Sequence, residues 1–100
     1  MTAYLMVRAE VPESDRAAFD RWYADEHLPD AKAAFNVAKA FRGWSDDGAH
    51  LAFYAFADMA AAEKATNSEA IAALIAEFDR VWQDRVTRTR RIVDIAQVLD

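Results

Sequence analysis

Residues 51–57 constrain the fold more than any other segment, because apolar and polar side chains do not alternate along this strand-length run. A sheet with one face in water shows that alternation, so a strand that is apolar throughout has both faces covered. A turn at Asp46-Asp47-Gly48 precedes the run, and Asp58 follows it as the predicted N-cap of a short alanine-rich helix. The segment therefore predicts a central strand between a layer of helices and a second apolar surface.

Three further segments have the composition of β-strands. Residues 3–11 alternate, with Tyr4, Met6 and Arg8 on the face opposite the smaller apolar residues. Residues 37–45 form the second predicted strand, and residues 92–99 are rich in β-branched side chains, as a final strand would be. The chain therefore has four predicted strands.

Helical spacing of apolar residues occurs between these strands. Ser14 or Glu13 is expected to cap the first helix, and residues 30–35 form a second short piece that ends at a left-handed Asn36. Asn67-Ser68 restarts a longer helix in the second half of the chain. Its apolar stripe is expected to pack into the core: Ile71, Leu74, Ile75, Phe78 and Trp82.

The element order βαββαβ predicts a single α+β domain over residues 1–100, a ferredoxin-like sandwich. Its four-stranded antiparallel sheet carries two helices on one face and leaves the other face bare. Because the third strand is apolar on both sides, the simplest arrangement is a homodimer whose sheets pack face to face.

Residues 22–29 place two aromatic rings, two carboxylates and a histidine around one helix end. Helical spacing makes Trp22 a neighbour of Glu26, and Tyr23 a neighbour of His27. Pro29 disfavours helix at the residue before it, so His27 is expected at a frayed end from which it reaches a cavity. Trp22 and Tyr23 are adjacent, so only one of the two rings is expected to face the core.

The string W-Y-x-x-E-H-L-P, in a βαββαβ chain of 100 residues, resembles the dimeric α/β-barrel superfamily and, within it, the EthD-like small proteins. This resemblance implies a cofactor-free dimer with a small-molecule cavity between the sheet and the first helix of each subunit. The positions that match the motif are Trp22, Tyr23, Glu26, His27 and Pro29.

His27 has two interpretations. As a general acid or base, an imidazole that titrates near neutral pH transfers protons; as a structural group, it caps the carbonyls of the helix end. His50 is expected at the opposite end of the sheet, too far away to share a metal ion with His27. Because the chain also has no cysteine, neither a metal site nor a haem is expected.

The expected ligand is a small apolar or aromatic molecule bound near His27. The side chains expected around it are Tyr4, Trp22, Tyr23, Glu26, Phe35, Tyr54 and Phe56. Two functions fit: a cofactor-independent enzyme that transfers a proton to or oxygenates an aromatic or polyketide-like compound, and a non-catalytic ligand-binding or stress-associated module. Glu26 either contacts the ligand or is a surface charge.

Charge narrows the range of partners. The net charge of −5 argues against nucleic acid and anionic membranes, both of which favour a positive surface. Residues 1–11 have neither a basic start nor a long apolar run, so a cytoplasmic protein is expected. Arg8, on the sheet face assigned to the dimer, is expected to pair with a carboxylate, either Asp94 or an acid of the second subunit, or else to reach solvent at the mouth of the barrel. Five arginines lie late in the chain: Arg80, Arg85, Arg88, Arg90 and Arg91. Either all of them lie in solvent, or one of them faces an acidic group of a ligand or partner.

Overall fold

Four antiparallel strands form one sheet in the computed structural model, which describes residues 2–100. They are β1 (Ala3–Glu10), β2 (Ala40–Trp44), β3 (Ala49–Phe56) and β4 (Thr87–Asp94). Their order is β2-β3-β1-β4, so the first and third strands are central and the other two form the edges. With helical connections between β1 and β2 and between β3 and β4, the ferredoxin-like βαββαβ fold is confirmed.

The first connection is helical almost throughout. A 3-10 turn (Glu13–Asp15) leads into α1 (Arg16–Trp22), a π-helical turn (Tyr23–His27) and α2 (Leu28–Phe35). Asn36 ends α2 in the left-handed conformation with φ 53°, as predicted. Neither Ser14 nor Glu13 caps the helix, because the 3-10 turn follows Pro12 and no side chain accepts from its first amides.

The helix does not end before Pro29, and the prediction that His27 lies at a frayed end is wrong. A proline inside an α-helix lacks an N–H group, and its ring clashes with the carbonyl four residues earlier. Immediately before this proline the backbone widens, and the amide of Leu28 donates to the carbonyl of Tyr23, five residues back. The π-helical turn therefore lets one continuous helix pass Pro29.

The second connection contains α3 (Met59–Thr66) and α4 (Glu69–Trp82). Both predicted caps are confirmed: the Asp58 carboxylate accepts from the Ala61 amide at 2.8 Å, and the Ser68 hydroxyl accepts from the Ile71 amide at 3.4 Å. The predicted stripe of α4 faces inward, with Ile71, Phe78 and Trp82 buried.

The core lies between the helices and one face of the sheet, and Phe19 is at its centre. Its fully buried ring lies 5.4 Å from Tyr23, 5.1 Å from Trp82 and 6.0 Å from Phe78, measured between centroids. Trp22 and Tyr23 are both buried, so the expectation that only one faces inward is wrong. The helix packs on two sides: Trp22 contacts Phe78 and Trp82 of α4, whereas Tyr23 contacts the sheet.

The other side of the sheet, hereafter the outer face, is covered by no element among residues 2–100. Tyr4, Phe41 and Phe53 form an aromatic cluster there, with the Phe41 and Phe53 rings stacked at 4.9 Å. Phe41 is 39% exposed and Val93 is 40% exposed. Their neighbours in the strand register complete the outer face: Met6, Arg8, Leu51 and Ala55.

Arg8 pairs with Asp47, not with Asp94 as predicted. The guanidinium donates to the Asp47 carboxylate at 2.9 Å, and Asp47 belongs to the turn between β2 and β3. Asp94 lies opposite Ala3 in the register, at the other end of β1. The turn lies close to Arg8 because Arg8 is opposite Leu51 in the strand register, near the start of β3.

The last strand begins five residues earlier than predicted, at Thr87 instead of residue 92. It pairs with β1 along its length, from Thr87 opposite Glu10 to Asp94 opposite Ala3. Beyond it, Val98 and Leu99 are largely exposed and lie outside any strand. This register places Arg88 and Arg90 on the helix-facing side of the sheet, opposite Ala9 and Val7.

Replacing Phe19 by alanine is expected to lower the free energy of unfolding by about 3–5 kcal/mol, the usual cost of deleting a buried phenylalanine ring. The ring contacts both α4 and the sheet, so the cavity cannot close by moving one element alone. Urea unfolding followed by circular dichroism measures the loss. A cost below about 1 kcal/mol would contradict the central position of Phe19 in the core.

Candidate functional site

His27 is held between rings and makes no side-chain hydrogen bond to any of residues 2–100. It is 8% exposed. Its imidazole stacks on Trp22 with centroids 4.6 Å apart and meets the edges of Tyr23 and Phe78 at 4.9 and 5.7 Å. The contact with Trp22 joins residues five apart, which share a face only because the π-helical turn intervenes. The turn therefore positions this imidazole.

Two tyrosine hydroxyls meet beside His27. The Tyr23 and Tyr54 oxygens are 3.4 Å apart in the protein interior. In such a pair one hydroxyl donates to the other, and the accepting hydroxyl keeps its own proton for another partner. Burial raises the pKa of both tyrosines, so both stay protonated at neutral pH. The site thus contains a free O–H donor next to an imidazole.

A pocket of about 40 Å³, partly open to solvent, lies between α4 and the sheet at these groups. We call it the His27 pocket. Its polar lining consists of His27, Tyr23, Tyr54, Arg88 and Arg90. Its apolar lining comes from both sheet and helices: Leu5, Val7, Ala31, Phe35, Ile71, Leu74, Ile75 and Phe78. Apolar walls with a few convergent polar groups are typical of small-molecule sites.

The predicted site residues divide into two groups. His27, Tyr23, Phe35 and Tyr54 come together in the His27 pocket. The others do not line it: Trp22 lies behind His27, Glu26 is exposed, Tyr4 is on the outer face, and Phe56 belongs to another cavity.

That other cavity is larger, about 550 Å³, and more open to solvent. It lies beyond Phe35, where the end of β3 meets α3, and most of its lining residues are alanines. Lys64 is the one charged residue among its lining residues. The larger cavity lacks a convergent set of polar groups, so the His27 pocket is the better candidate site.

His50 is much closer to His27 than the sequence suggested. Tyr23 lies between them, with its centroid 4.4 Å from the His50 ring and 4.9 Å from the His27 ring. The placement of the two histidines at opposite ends of the sheet is therefore wrong. A helix advances only about 1.5 Å per residue against about 3.3 Å for a strand, so at His27 the helix has not yet reached the far end of the sheet.

His50 has a hydrogen-bond partner where His27 has none. The Arg42 guanidinium is 3.3 Å from His50 Nε2, and because a guanidinium has no acceptor atom, Nε2 accepts. The Asp20 carboxylate accepts from Arg42 at 2.8 Å and from Trp44 at 2.9 Å, and these bonds lower the pKa of Asp20. This network joins α1 to β2 and β3 and gives His50 a structural role.

Burial lowers the pKa of His27 to about 4, and the positive charge of Arg88 acts in the same direction. The more distant carboxylates of Asp30 and Glu77 oppose the shift. The imidazole is therefore neutral at pH 7, with one ring nitrogen free to accept a proton or a hydrogen bond. Burial likewise lowers the pKa of His50 to about 4, with Arg42 contributing.

The sequence reasoning missed the arginines of the pocket. Arg88 lies across the Phe78 ring at 4.0 Å and pairs with Asp79 at 3.1 Å. Arg90 is two residues further along β4, on the same side of the sheet. The last strand was predicted to begin at residue 92, so neither arginine was assigned to it. The alternation of Arg88, Arg90 and Ile92 with intervening residues was the signal that could have placed them in a strand.

The structure is that of a small protein with a ferredoxin-like fold and, under its helices, a mainly apolar pocket that contains a few polar groups. No protein-family model and no curated protein matches the chain. Among solved structures, it is similar to an ethyl tert-butyl ether D (EthD) family protein from Bacillus halodurans, with a TM-score of 0.75, 19% identity, and 95% of this chain and 99% of that chain covered.

Two further structures have the same fold. A NIPSNAP family protein of unknown function from Agrobacterium tumefaciens has a TM-score of 0.69 and 16% identity over 96% of this chain and 89% of that one. A protein of unknown function from Nitrosomonas europaea has a TM-score of 0.61 and 24% identity over 99% and 95% of the two chains. The resemblance to EthD-like small proteins is therefore confirmed for the fold. Within residues 2–100, no helix has the length and apolar character needed to span a membrane.

Lowering the pH from 7 to 5 is expected to reduce the free energy of unfolding by roughly 1–2 kcal/mol for each buried histidine. Each imidazole has a pKa near 6.5 when unfolded and about 4 when folded, so the unfolded chain binds more protons between these values. Stability is then complete above pH 6.5 and decreases as the pH falls toward 4. Urea unfolding at both pH values measures the difference.

The variants His27→Phe and His50→Phe separate the two contributions to this pH dependence. Each is expected to remove about half of the difference in unfolding free energy. A stability that stays constant between pH 7 and pH 5 in the unmodified protein would contradict the burial of the two imidazoles.

Proposed function

We propose that this protein binds a small aromatic or polyketide-like carbonyl compound in the His27 pocket and that His27 accepts a proton from it. The observation that carries the proposal is a buried, neutral imidazole without a hydrogen-bond partner among residues 2–100, in a pocket that is partly open to solvent. An imidazole nitrogen that faces a pocket and has no protein partner can accept a hydrogen bond from a ligand group that donates to it.

The pocket supplies the groups that a proton transfer needs. A carbonyl oxygen accepts a hydrogen bond from the free hydroxyl of the Tyr23–Tyr54 pair. His27 takes a proton from the carbon next to the carbonyl, and the electron pair of that C–H bond moves toward the carbonyl oxygen. The imidazolium then returns a proton to carbon. A pKa of about 4 makes His27 a ready acceptor but a weak base, so a modest acceleration is expected.

A whole aromatic ring needs more room than about 40 Å³, since a cavity of about 150 Å³ is known to hold benzene. Leu74 and Ile75 of α4 face the pocket and are only half-buried. An outward shift of these two side chains provides space at the mouth without disturbing Phe19 or Trp82. Binding is therefore expected to shift Leu74 and Ile75.

The variant His27→Phe is expected to abolish catalysed deuterium exchange into the methyl group of acetophenone in D₂O. The unmodified protein should accelerate this exchange by about 10²-fold over buffer, the lower end of general-base effects. Phenylalanine keeps the stacking on Trp22 and removes the proton acceptor. NMR of the ligand measures the exchange, and backbone amide shifts of the protein measure binding.

The matched control is His50→Phe, which changes the other buried histidine but leaves the His27 pocket lining intact. It is expected to retain both binding and exchange. Binding of acetophenone without exchange would refute the proton transfer and favour the non-catalytic ligand-binding function. Absence of both would refute the pocket as the functional site.

We further propose that two copies of the chain pack through their outer faces. The cluster of Tyr4, Phe41 and Phe53 leaves large apolar area in water, and contiguous apolar patches of this kind mark association surfaces. Packing one sheet on another covers the second side of β3, whose residues are apolar on both faces.

Phe41→Lys is expected to convert the dimer into a monomer, because the substitution buries a charge at the centre of the apolar contact. Light scattering at micromolar protein concentration measures the mass. The control Ala18→Lys adds the same charge on the exposed side of α1 and should leave the dimer intact. A monomeric unmodified protein would contradict the proposed association.

A further inference from the structure

The mouth of the His27 pocket is positively charged although the chain as a whole carries a net charge of −5. Arg88 and Arg90 alternate along β4, so their side chains leave the same face of the sheet about 7 Å apart. No aspartate or glutamate is among the residues that line this pocket. Asp79, which lies outside the lining, pairs with Arg88 at 3.1 Å, so the positive charge left unpaired among the lining residues is that of Arg90.

The two arginines are held differently. Arg88 is largely buried, lies over the Phe78 ring at 4.0 Å and is paired with Asp79 at 3.1 Å. Arg90 is exposed and makes no salt bridge with any of residues 2–100. Its guanidinium therefore keeps all of its donors for an external partner, and its planar fork matches a carboxylate in two parallel hydrogen bonds.

Apart from the arginines, most of the residues that line the pocket are apolar. Leu74 and Phe78 form the side toward α4, and the polar groups at the inner end are the neutral His27 and the tyrosine pair. A ligand that fits both the arginine at the opening and the apolar walls has an anionic group at one end and a compact apolar body. Because the polar groups at the inner end are neutral, the pocket has no positive charge there that would bind a second anionic group of a ligand.

We propose that the His27 pocket selects a small organic acid, with its carboxylate bound by Arg90 at the mouth and its apolar body between α4 and the sheet. Arg88 adds positive charge but keeps its bond to Asp79. This inference rests on the proposed function in that it uses the same pocket, and it names the class of ligand: a monocarboxylate with a short aliphatic or single-ring body.

The test compares benzoate with benzamide, which have nearly the same shape and differ in charge. Amide chemical shifts measured by NMR titration give both dissociation constants. Benzoate is expected to bind about 10- to 100-fold more tightly, the range for hydrogen bonds to a charged group. Arg90→Gln should reduce the affinity for benzoate to that for benzamide and leave the affinity for benzamide unchanged. Arg90→Lys should keep part of the preference, because it keeps the charge but loses the fork.

The control Arg21→Gln removes one positive charge from the exposed surface of α1, away from the lining of the pocket, and is expected to keep the full preference. Equal affinities of the unmodified protein for benzoate and benzamide overturn the selection of an acid. A preference that persists in Arg90→Gln overturns the role of Arg90. Acetophenone binding separates both results from a failure of the pocket itself, since that ligand is neutral and its binding does not depend on Arg90.

Discussion

The geometry of the site depends on how the chain passes Pro29. A proline inside a helix removes one hydrogen bond and clashes with the preceding turn, so the helix must end, bend or widen before it. Here it widens by one residue, and the i→i−5 bond from Leu28 to Tyr23 replaces the regular pattern. The wider turn brings Trp22 and His27 into stacking contact and directs the imidazole under α4. Pro29, which was expected to leave His27 at a frayed helix end, therefore leads to its burial.

The two buried histidines on either side of Tyr23 differ in their hydrogen bonding. His50 accepts from Arg42, which also binds Asp20, and this network ties α1 to the sheet. His27 is 8% exposed against 1% for His50, but it makes no side-chain hydrogen bond to residues 2–100, and its surroundings are aromatic. An imidazole that lines a pocket and has no protein partner can bind a ligand there, which is the basis of the role proposed for His27.

Much of the architecture follows from sequence patterns that depend on local chemistry. The caps at Asp58 and Ser68, the left-handed Asn36 and the stripe of α4 each involve neighbours a few residues apart, and all were predicted correctly. The start of β4 and the π-helical turn were missed because tertiary contacts decide them. Pairing with β1 draws residues 87–91 into a strand despite their charge, and packing against α4 holds the helix together beyond Pro29. The pocket was recognised at Tyr23, His27, Phe35 and Tyr54, whereas its β4 side was missed for the same reason.

The alternation of side chains along β4 separates two surfaces of the protein. Arg88 and Arg90 point toward the helices and the His27 pocket, whereas the residues between and after them, such as Arg91 and Val93, belong to the outer face. Because β4 is an edge strand, its helix-facing side is open where α4 leaves it uncovered, and this opening forms the mouth of the pocket. Association through the outer face would therefore leave that mouth accessible. In the proposed dimer, a ligand beside Arg90 would contact β4 from one side, and the second subunit would contact the same strand from the other.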